Sequence, residues 1–432
     1  MNDLKPVVIV GGGFTGLFTA LHLRHQKCSR PIILIDRNWR FIFQPLLYEL
    51  LTSEVKLDLV YPRYDELLAG SDIMFVRDRV SHIDLKQRRV SLDSGLCYSY
   101  EYLVLALGSA AGYFDVPGAK ENTFTFREGD DVFQLGSHLR DCLQRATQEL
   151  DFQQKQKLLR VVIVGAGPVG VELAATLADL LPIWYEALRE NSNQIEIVII
   201  QRGTEILKGD TNAILRPVVE QKLQQRTIPI KLILDASVSA VGEDWIEYRK
   251  EGQTERLDAK TIVWSAGTVT HPLVKQLDIN VEYRDRGKLI VESTCQLPEY
   301  PEVYAGGDCA IDSANPQPAL AQVAYQQAKG IATNIKASCE AKQLKPVKVS
   351  LRGTLLKLGM GESVAEIYDR FLMQSLMRET PKTAPHRFEV RGKPGHLIRQ
   401  ATYLEMLPTP LHNFKATTEW LTEGIFQKFT DL

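Results

Sequence analysis

The sequence predicts an α/β fold class with two parallel sheets, because one local pattern of apolar strand, glycine turn, helix and apolar strand is written twice. The first copy runs Val7-Val8-Ile9-Val10-Gly11-Gly12-Gly13-Phe14-Thr15-Gly16 and continues to Ile32-Ile33-Leu34-Ile35-Asp36-Arg37. The second runs Val161-Val162-Ile163-Val164-Gly165-Ala166-Gly167-Pro168-Val169-Gly170 and continues to Ile197-Val198-Ile199-Ile200-Gln201-Arg202.

Each copy carries GxGxxG directly after a buried-type strand and directly before a helix, the context that distinguishes a dinucleotide fingerprint from a chance glycine turn. Gly11 and Gly165 make the tight turn, Gly13 and Gly167 let backbone approach a pyrophosphate, and Gly16 and Gly170 let helix pack on strand. The pyrophosphate then sits at a helix N-terminus, where N–H groups and the helix dipole favour anions. Asp36 lies 20 residues past Gly16, where a carboxylate can accept both ribose hydroxyls. Two such units predict two dinucleotides, one resident and one that exchanges.

The units extend beyond the fingerprints. After Asp36 come a Pro-containing loop, strands near Ile73–Val76 and Val90–Leu92, and a closing strand Tyr102-Leu103-Val104-Leu105-Ala106-Leu107-Gly108. Residues 128–157 are polar and helical in pattern and carry the chain into the second unit. That unit closes with Thr261-Ile262-Val263-Trp264-Ser265-Ala266-Gly267. Val303-Tyr304-Ala305-Gly306-Gly307-Asp308 is a further strand ending in Gly-Gly-Asp. Read alone, Asp308 suits a helix cap as well as a ligand contact. Downstream of two fingerprints it resembles the aspartate that holds the ribityl chain and pyrophosphate of FAD in two-dinucleotide flavoproteins. We therefore expect two Rossmann-like domains. A discontinuous FAD domain takes 1–127 and 295–345, an NAD(P)H domain takes 128–294, and a C-terminal membrane-associating region takes 346–432.

Composition agrees with a globular chain. The 432 residues are 44% hydrophobic and 24% charged, too long for one core. A net charge of −2 gives no basis for nucleic-acid binding. Cys28, Cys97, Cys142, Cys295, Cys309 and Cys339 are scattered without CxxC or paired spacing, which points to a reducing compartment and no structural disulfide. No metal-ligand spacing is present. The first strand begins at Val7, which leaves no room for a signal peptide. The apolar stretch from Leu158 to Trp184 holds Arg160, Glu172 and Asp179 and reads as strand, turn and helix instead of a membrane span.

With these pieces in order, the chain resembles the type II NAD(P)H:quinone oxidoreductases, single-subunit flavoenzymes of respiratory membranes that pump no protons. The resemblance covers nearly the whole length. It is carried by Phe43-Gln44-Pro45-Leu46-Leu47-Tyr48-Glu49, by the second fingerprint through Glu172, and by Ala321-Gln322-Val323-Ala324-Tyr325-Gln326-Gln327-Ala328. It implies non-covalent FAD, NADPH or NADH as electron donor and a lipid-soluble quinone as acceptor. It also implies cofactor contacts from Gln44, Gly108, Gly267, Asp308, Ala321 and Gln322. Glu172 stands beside the nicotinamide and flavin, and Gln322 and Gln326 border the quinone path. A first-turn dipole partner is the bland alternative for Glu172. Leu107 replaces a threonine common in the family's closing strand, an apolar change that leaves Gly108 in place.

Gln201 is the informative departure, because it stands where Asp36 stands in the first copy. A carboxylate there binds a bare 2′-hydroxyl and repels a 2′-phosphate; a neutral amide removes the repulsion, and Arg202 is available as a phosphate partner. We expect NADPH to be accepted and preferred. Gln201 and an atypical 351–400 segment make the chain similar to the cyanobacterial and plastid branch, which implies demethylphylloquinone reduction in phylloquinone synthesis; a respiratory acceptor is the alternative. Arg387, Arg391, Lys393 and Arg399 precede an amphipathic end with Phe414, Leu421, Ile425, Phe429 and Leu432 on one face and Trp420 and Phe426 flanking it. That pattern predicts peripheral docking on the cytoplasmic side of a membrane, with packing on the protein itself or on a homodimer partner as the alternative. A disulfide reductase or a sulfide:quinone oxidoreductase needs cysteines at the flavin, and Cys309 beside Asp308 has no evident partner.

Overall fold

The computed structural model describes residues 4–208, 215–280, 284–285, 287–368, 388–418 and 420. Its first sheet is six-stranded, in the order Gln296–Leu297, Tyr300–Ala305, Tyr102–Leu105, Val7–Val10, Ile32–Asp36, Ile73–Arg77. All neighbours are parallel except the first pair. Val7–Val10 is buried at every position, which is why its sequence is a continuous apolar run instead of an alternating one. Each strand end is set by the turn that follows. Gly11, with φ of +99°, reverses the chain into the helix Phe14–His25, and Gly165, with φ of +103°, does the same before the helix Pro168–Glu186.

The second sheet is four-stranded and fully parallel, in the order Lys231–Ile233, Glu196–Ile200, Arg160–Val164, Thr261–Trp264. Its edge is extended by Phe124, whose N–H donates to the Ile262 carbonyl at 2.8 Å. The two units are stitched by a short antiparallel pairing of Ser109–Ala111 with Thr268–Thr270, each just past its closing strand. Leu273, Val274, Leu277, Leu289 and Val291 pack with Val8, Val10 and Leu103 of the first sheet. We therefore place the return to the first unit near residue 271 instead of 295; the apolar positions of this loop-rich stretch have no strand period that a sequence reading can follow.

The C-terminal region forms a third layer. Gly353–Lys357, Ser363–Ile367 and Phe388–Arg391 make an antiparallel sheet, followed by the helix Gly392–Glu405. Leu356, Leu358, Val364, Tyr403, Met406 and Leu407 join the main hydrophobic core, so this part of 346–432 packs into the protein interior. Arg399, one of the four basic residues that precede the amphipathic end, is fully buried. Its guanidinium pairs with Glu49, which is why the helix tolerates it in the core. Arg387 and the residues 421–432 of the proposed amphipathic face lie outside the described residues. Among the described residues, no helix is long and apolar enough to cross a membrane.

Candidate functional site

The first glycine turn opens on an elongated cleft of about 850 Å³ lined by Gly11, Gly13, Asp36, Gln44, Gly108 and Asp308. Asp36 closes the turn: its carboxylate accepts the N–H of Gly12 at 2.6 Å and that of Asn38 at 2.7 Å. Burial raises the Asp36 carboxyl, and the two backbone bonds oppose that rise. The residues fit a dinucleotide. A Cβ on Gly13 would meet nothing within 4 Å, so backbone faces open space where a pyrophosphate can lie, whereas a Cβ on Gly16 would overlap the Gly11 carbonyl. At the far wall, Asp308 accepts the Ser109 hydroxyl at 2.9 Å, and Arg127 donates to that same hydroxyl at 2.9 Å. The helix Ala321–Cys339 begins in this cleft with no side-chain cap on its N-terminus, so its dipole favours negative charge there.

The second turn repeats the geometry. Gly165, Gly167, Gln201, Arg202 and Gly267 line a cleft of about 1170 Å³. Gly167 again faces open space, and a Cβ on Gly170 would overlap the Gly165 carbonyl. The Gln201 Oε1 accepts the N–H of Ala166 at 3.0 Å, the counterpart of the bond from Gly12 to Asp36. The amide therefore replaces the carboxylate without loss of the turn, and Arg202 and Lys208 line the same cleft.

The two clefts meet. Gln44, Ser109, Arg127, Asp308, Leu320 and Ala321 line both, so occupants of the two sites would touch end to end. At the junction the second cleft turns apolar, lined by Pro45, Leu47, Tyr48, Phe126, Leu355 and Tyr403. Glu172 is buried there at 8% exposure, and its Oε1 accepts the Lys357 N–H at 2.7 Å. Burial raises the Glu172 carboxyl, opposed by Arg399, the Lys357 N–H and the hydroxyl of Tyr48.

Behind Glu172 lies a buried charge cluster that sequence reasoning missed. The Lys357 ammonium sits 3.1 Å from Glu49 and 2.8 Å from Glu54, and Arg399 pairs with Glu49 and donates to the Pro45 carbonyl at 2.5 Å. The available signal was a charged residue in each of the apolar segments Leu47–Thr52 and Gly353–Lys357, and Arg399 among the mixed residues of Gly392–Glu405. Charges in such segments are read by default as solvated, and their meeting across the chain has no local signature. The helix Ala321–Cys339 also differs from expectation. Gln322 and Gln326 line neither cleft; Gln322 bonds the Gly353 carbonyl at 3.0 Å and the Arg352 N–H at 3.1 Å, and Gln326 bonds Ser350 through its carbonyl at 3.0 Å and its N–H at 2.9 Å. Both glutamines clamp the backbone that leads into the third sheet.

Comparison with known proteins follows the same lines. The family model described as pyridine nucleotide-disulphide oxidoreductase matches residues 5–328. An alternative NAD(P)H-ubiquinone oxidoreductase of Arabidopsis thaliana is 28% identical, with 98% of this chain and 82% of the relative covered. The demethylphylloquinone reductase NdbB of Synechocystis sp. is 29% identical, with 98% of each covered. Among solved structures, NDH2 of Plasmodium falciparum in complex with NADH superposes with a TM-score of 0.80 at 17% identity, covering 96% of this chain and 97% of that one. The sulfide:quinone oxidoreductase of Aquifex aeolicus gives 0.72 at 20% identity, covering 92% and 89%. These two likenesses establish a shared fold.

Proposed function

Because the chain belongs to the pyridine nucleotide-disulphide oxidoreductase family, we propose that it is an FAD-dependent NAD(P)H:quinone oxidoreductase of type II. The observation that carries this reading is the junction of the two dinucleotide clefts on an apolar wall that holds a buried acid. FAD, held without a covalent link by the first cleft, supplies the two-electron relay between nicotinamide and quinone. The chain's own part is placement and proton handling. Gly13 and Gly167 let backbone approach each pyrophosphate, and the uncapped start of the helix at Ala321 favours negative charge at the junction. Pro45, Leu47, Phe126 and Leu355 exclude water from the junction and suit a flat apolar acceptor. Glu172, whose carboxyl burial raises, is the proton source at that wall.

The acceptor is a quinone and not a disulfide. Cys309 is fully buried beneath Asp308, its thiol donating to the Leu105 carbonyl at 3.4 Å, and burial pushes it up to about 11. A thiol in that state is inert as a nucleophile. The similarity to a demethylphylloquinone reductase over both full lengths favours a naphthoquinone precursor as substrate, and Gln201 favours NADPH as donor. The enzyme works at a membrane surface, on the cytoplasmic side, where its acceptor is dissolved.

The test is steady-state oxidation of NADPH and NADH by FAD-loaded protein with a soluble naphthoquinone, a soluble benzoquinone and no quinone. Oxidation that requires quinone, fastest with NADPH and naphthoquinone, supports the reading. Colourless protein that gains no activity with added FAD would sink it.

A further inference from the structure

The helices Phe14–His25 and Ala321–Cys339 both begin at the first cleft and pack side by side, with the Phe18 and Tyr325 rings 4.7 Å apart. They also end together. The Lys336 ammonium donates to the Gln26 carbonyl at 2.7 Å, and the Gln26 amide donates to Thr333 at 3.2 Å. Just past the first helix, Lys27 takes φ of +55° and folds the chain back, so that the Cys28 N–H reaches the Leu23 carbonyl at 3.0 Å. Cys339 is the last residue of the second helix. These contacts bring the two thiols together where the helices end, and both are partly exposed to solvent. Arg30, two residues past Cys28, is the cation beside both thiols.

We infer that Cys28 and Cys339 form an oxidisable dithiol, at which the chain closes a reversible disulfide between the far ends of the two helices that open on the cofactor cleft. The two positions are separated by most of the sequence and carry none of the spacing that marks a redox pair.

The surroundings select the nucleophile. The Cys28 thiol is lowered by the adjacent Cys339 thiol, then by Arg30 and the Lys336 ammonium, against the effect of burial. Cys339 moves the other way and keeps its proton. Hydrogen peroxide is the oxidant of matching chemistry. The Cys28 thiolate attacks one peroxide oxygen, the O–O bond breaks, and the hydroxide released takes a proton to become water, leaving a sulfenic acid. Cys339 then attacks the Cys28 sulfur, the S–O bond breaks, and a second water departs with the Cys339 proton. Two thiols are oxidised to one disulfide, and one peroxide is reduced to two waters. The bond staples the helix that carries Gln322 and Gln326 to the helix of the first fingerprint, and it closes a very long loop, which stabilises chiefly by restricting the unfolded chain.

The experiment uses the full-length, FAD-loaded protein. It is treated with a slight excess of hydrogen peroxide, alkylated, digested without reduction and mapped by mass spectrometry. We expect one cross-linked peptide pair joining Cys28 to Cys339, reversed by dithiothreitol and absent from C28S and C339S, while the exposed Cys97 is recovered alkylated. In C339S, dimedone should trap a sulfenic acid at Cys28; in C28S it should trap none at Cys339. Oxidised wild type should melt roughly 3–8 °C above its reduced form, a rise that neither variant reproduces. Cross-links through Cys97 or between chains in place of the Cys28–Cys339 pair would overturn the assignment, as would a melting shift in C28S equal to that of wild type.

Discussion

Arg399 and Glu49 meet as an ion pair with side chains 0% and 4% exposed, joining the helix Gly392–Glu405 to the short helix Leu47–Thr52. Lys357 reaches the same carboxylate from the third sheet. One buried anion thus holds two cations from a layer that sequence reading assigned to the membrane. The cluster also forms the floor under Glu172, so the geometry of the junction depends on it.

Removing one partner should cost far more than removing both. In Arg399→Met the Glu49 carboxylate keeps only Lys357, and breaking a buried pair this way typically costs about 3–5 kcal/mol. Replacing Glu49 by Met at the same time removes the stranded charge and should recover at least half of that loss. Urea unfolding of wild type, the single variant and the double variant measures both quantities. Equal stability of the two variants would show that the pair is not electrostatically coupled.

Acid should expose the same pair. Burial pushes Glu49 up, but Arg399 and Lys357 outweigh it and bring it from 4.5 down to about 2. A carboxyl whose folded value is depressed adds stability that is complete above its unfolded value and is lost as pH falls toward the folded one. The stability difference between wild type and Glu49→Gln should therefore be flat from pH 5 to 8 and shrink between pH 4.5 and 2. Urea midpoints across that range test it; a difference that stays constant below pH 4 would contradict the pairing.

The sheets were legible because parallel strands buried on both faces must be continuous apolar runs, and the two glycine turns fix where each strand ends. That spacing also places Gly11, Gly13 and Asp36 on the first cleft and Gly165, Gly167 and Gln201 on the second. What was not legible is whatever depends on distant pairing. Arg399 reads as a surface charge until Glu49 stands opposite it, and Gln322 reads as a cleft residue until Arg352 and Gly353 occupy both ends of its amide. Cys28 and Cys339 carry no shared motif, and only the parallel packing of their helices brings them together.

The proton role proposed for Glu172 is open to test. Burial lets it hold its proton to higher pH than an ordinary glutamate. If it supplies that proton to the acceptor, turnover with quinone falls as pH rises through its raised value. Glu172→Gln retains an oxygen for the Lys357 N–H but has no acidic proton. Quinone-dependent kcat should drop by at least about a hundredfold, the low end for general-acid loss, and lose that alkaline limb. Bleaching of the flavin band by NADPH without quinone should change less than threefold. Equal losses in both phases would assign Glu172 to nicotinamide placement instead.

Membrane docking is tested at two side chains. In the segment around residue 412, His412 and Ala416 are buried, with His412 bonded to the Leu59 carbonyl at 2.8 Å, while Leu411 and Phe414 are 64% and 69% exposed. The segment therefore packs on the protein by one face and offers the other outward. Burying a Leu or Phe side chain is worth about 1.5–3 kcal/mol each. Leu411→Glu with Phe414→Glu should weaken sedimentation with liposomes by at least about tenfold, with turnover of a soluble quinone unchanged. Retained liposome binding would move the docking face elsewhere.

The proposed preference for NADPH is tested at Gln201. Its Oε1 is held by the Ala166 N–H at 3.0 Å, so Gln201→Glu keeps that acceptor and leaves the turn intact. The change falls on the other end of the group, where an NH₂ donor becomes a carboxylate oxygen at the second cleft. At an effective dielectric near 20, like charges about 4 Å apart repel by roughly 4 kcal/mol, reduced by solvent and salt to about 1–2 kcal/mol at an open cleft. The carboxylate also gains hydrogen bonds to the two hydroxyls of an NADH ribose, as Asp36 can with the first nucleotide. The ratio of kcat/KM for NADPH over NADH should fall by at least about tenfold, since each 1.4 kcal/mol is a factor of ten. The loss belongs in KM, because the ribose contact is the same before and during hydride transfer. Arg202→Ala supplies the opposing arm: if that cation meets the 2′-phosphate, NADPH weakens while NADH is unaffected. A ratio unmoved by Gln201→Glu would mean that this side chain does not reach the ribose, and the preference for NADPH would lose its physical basis.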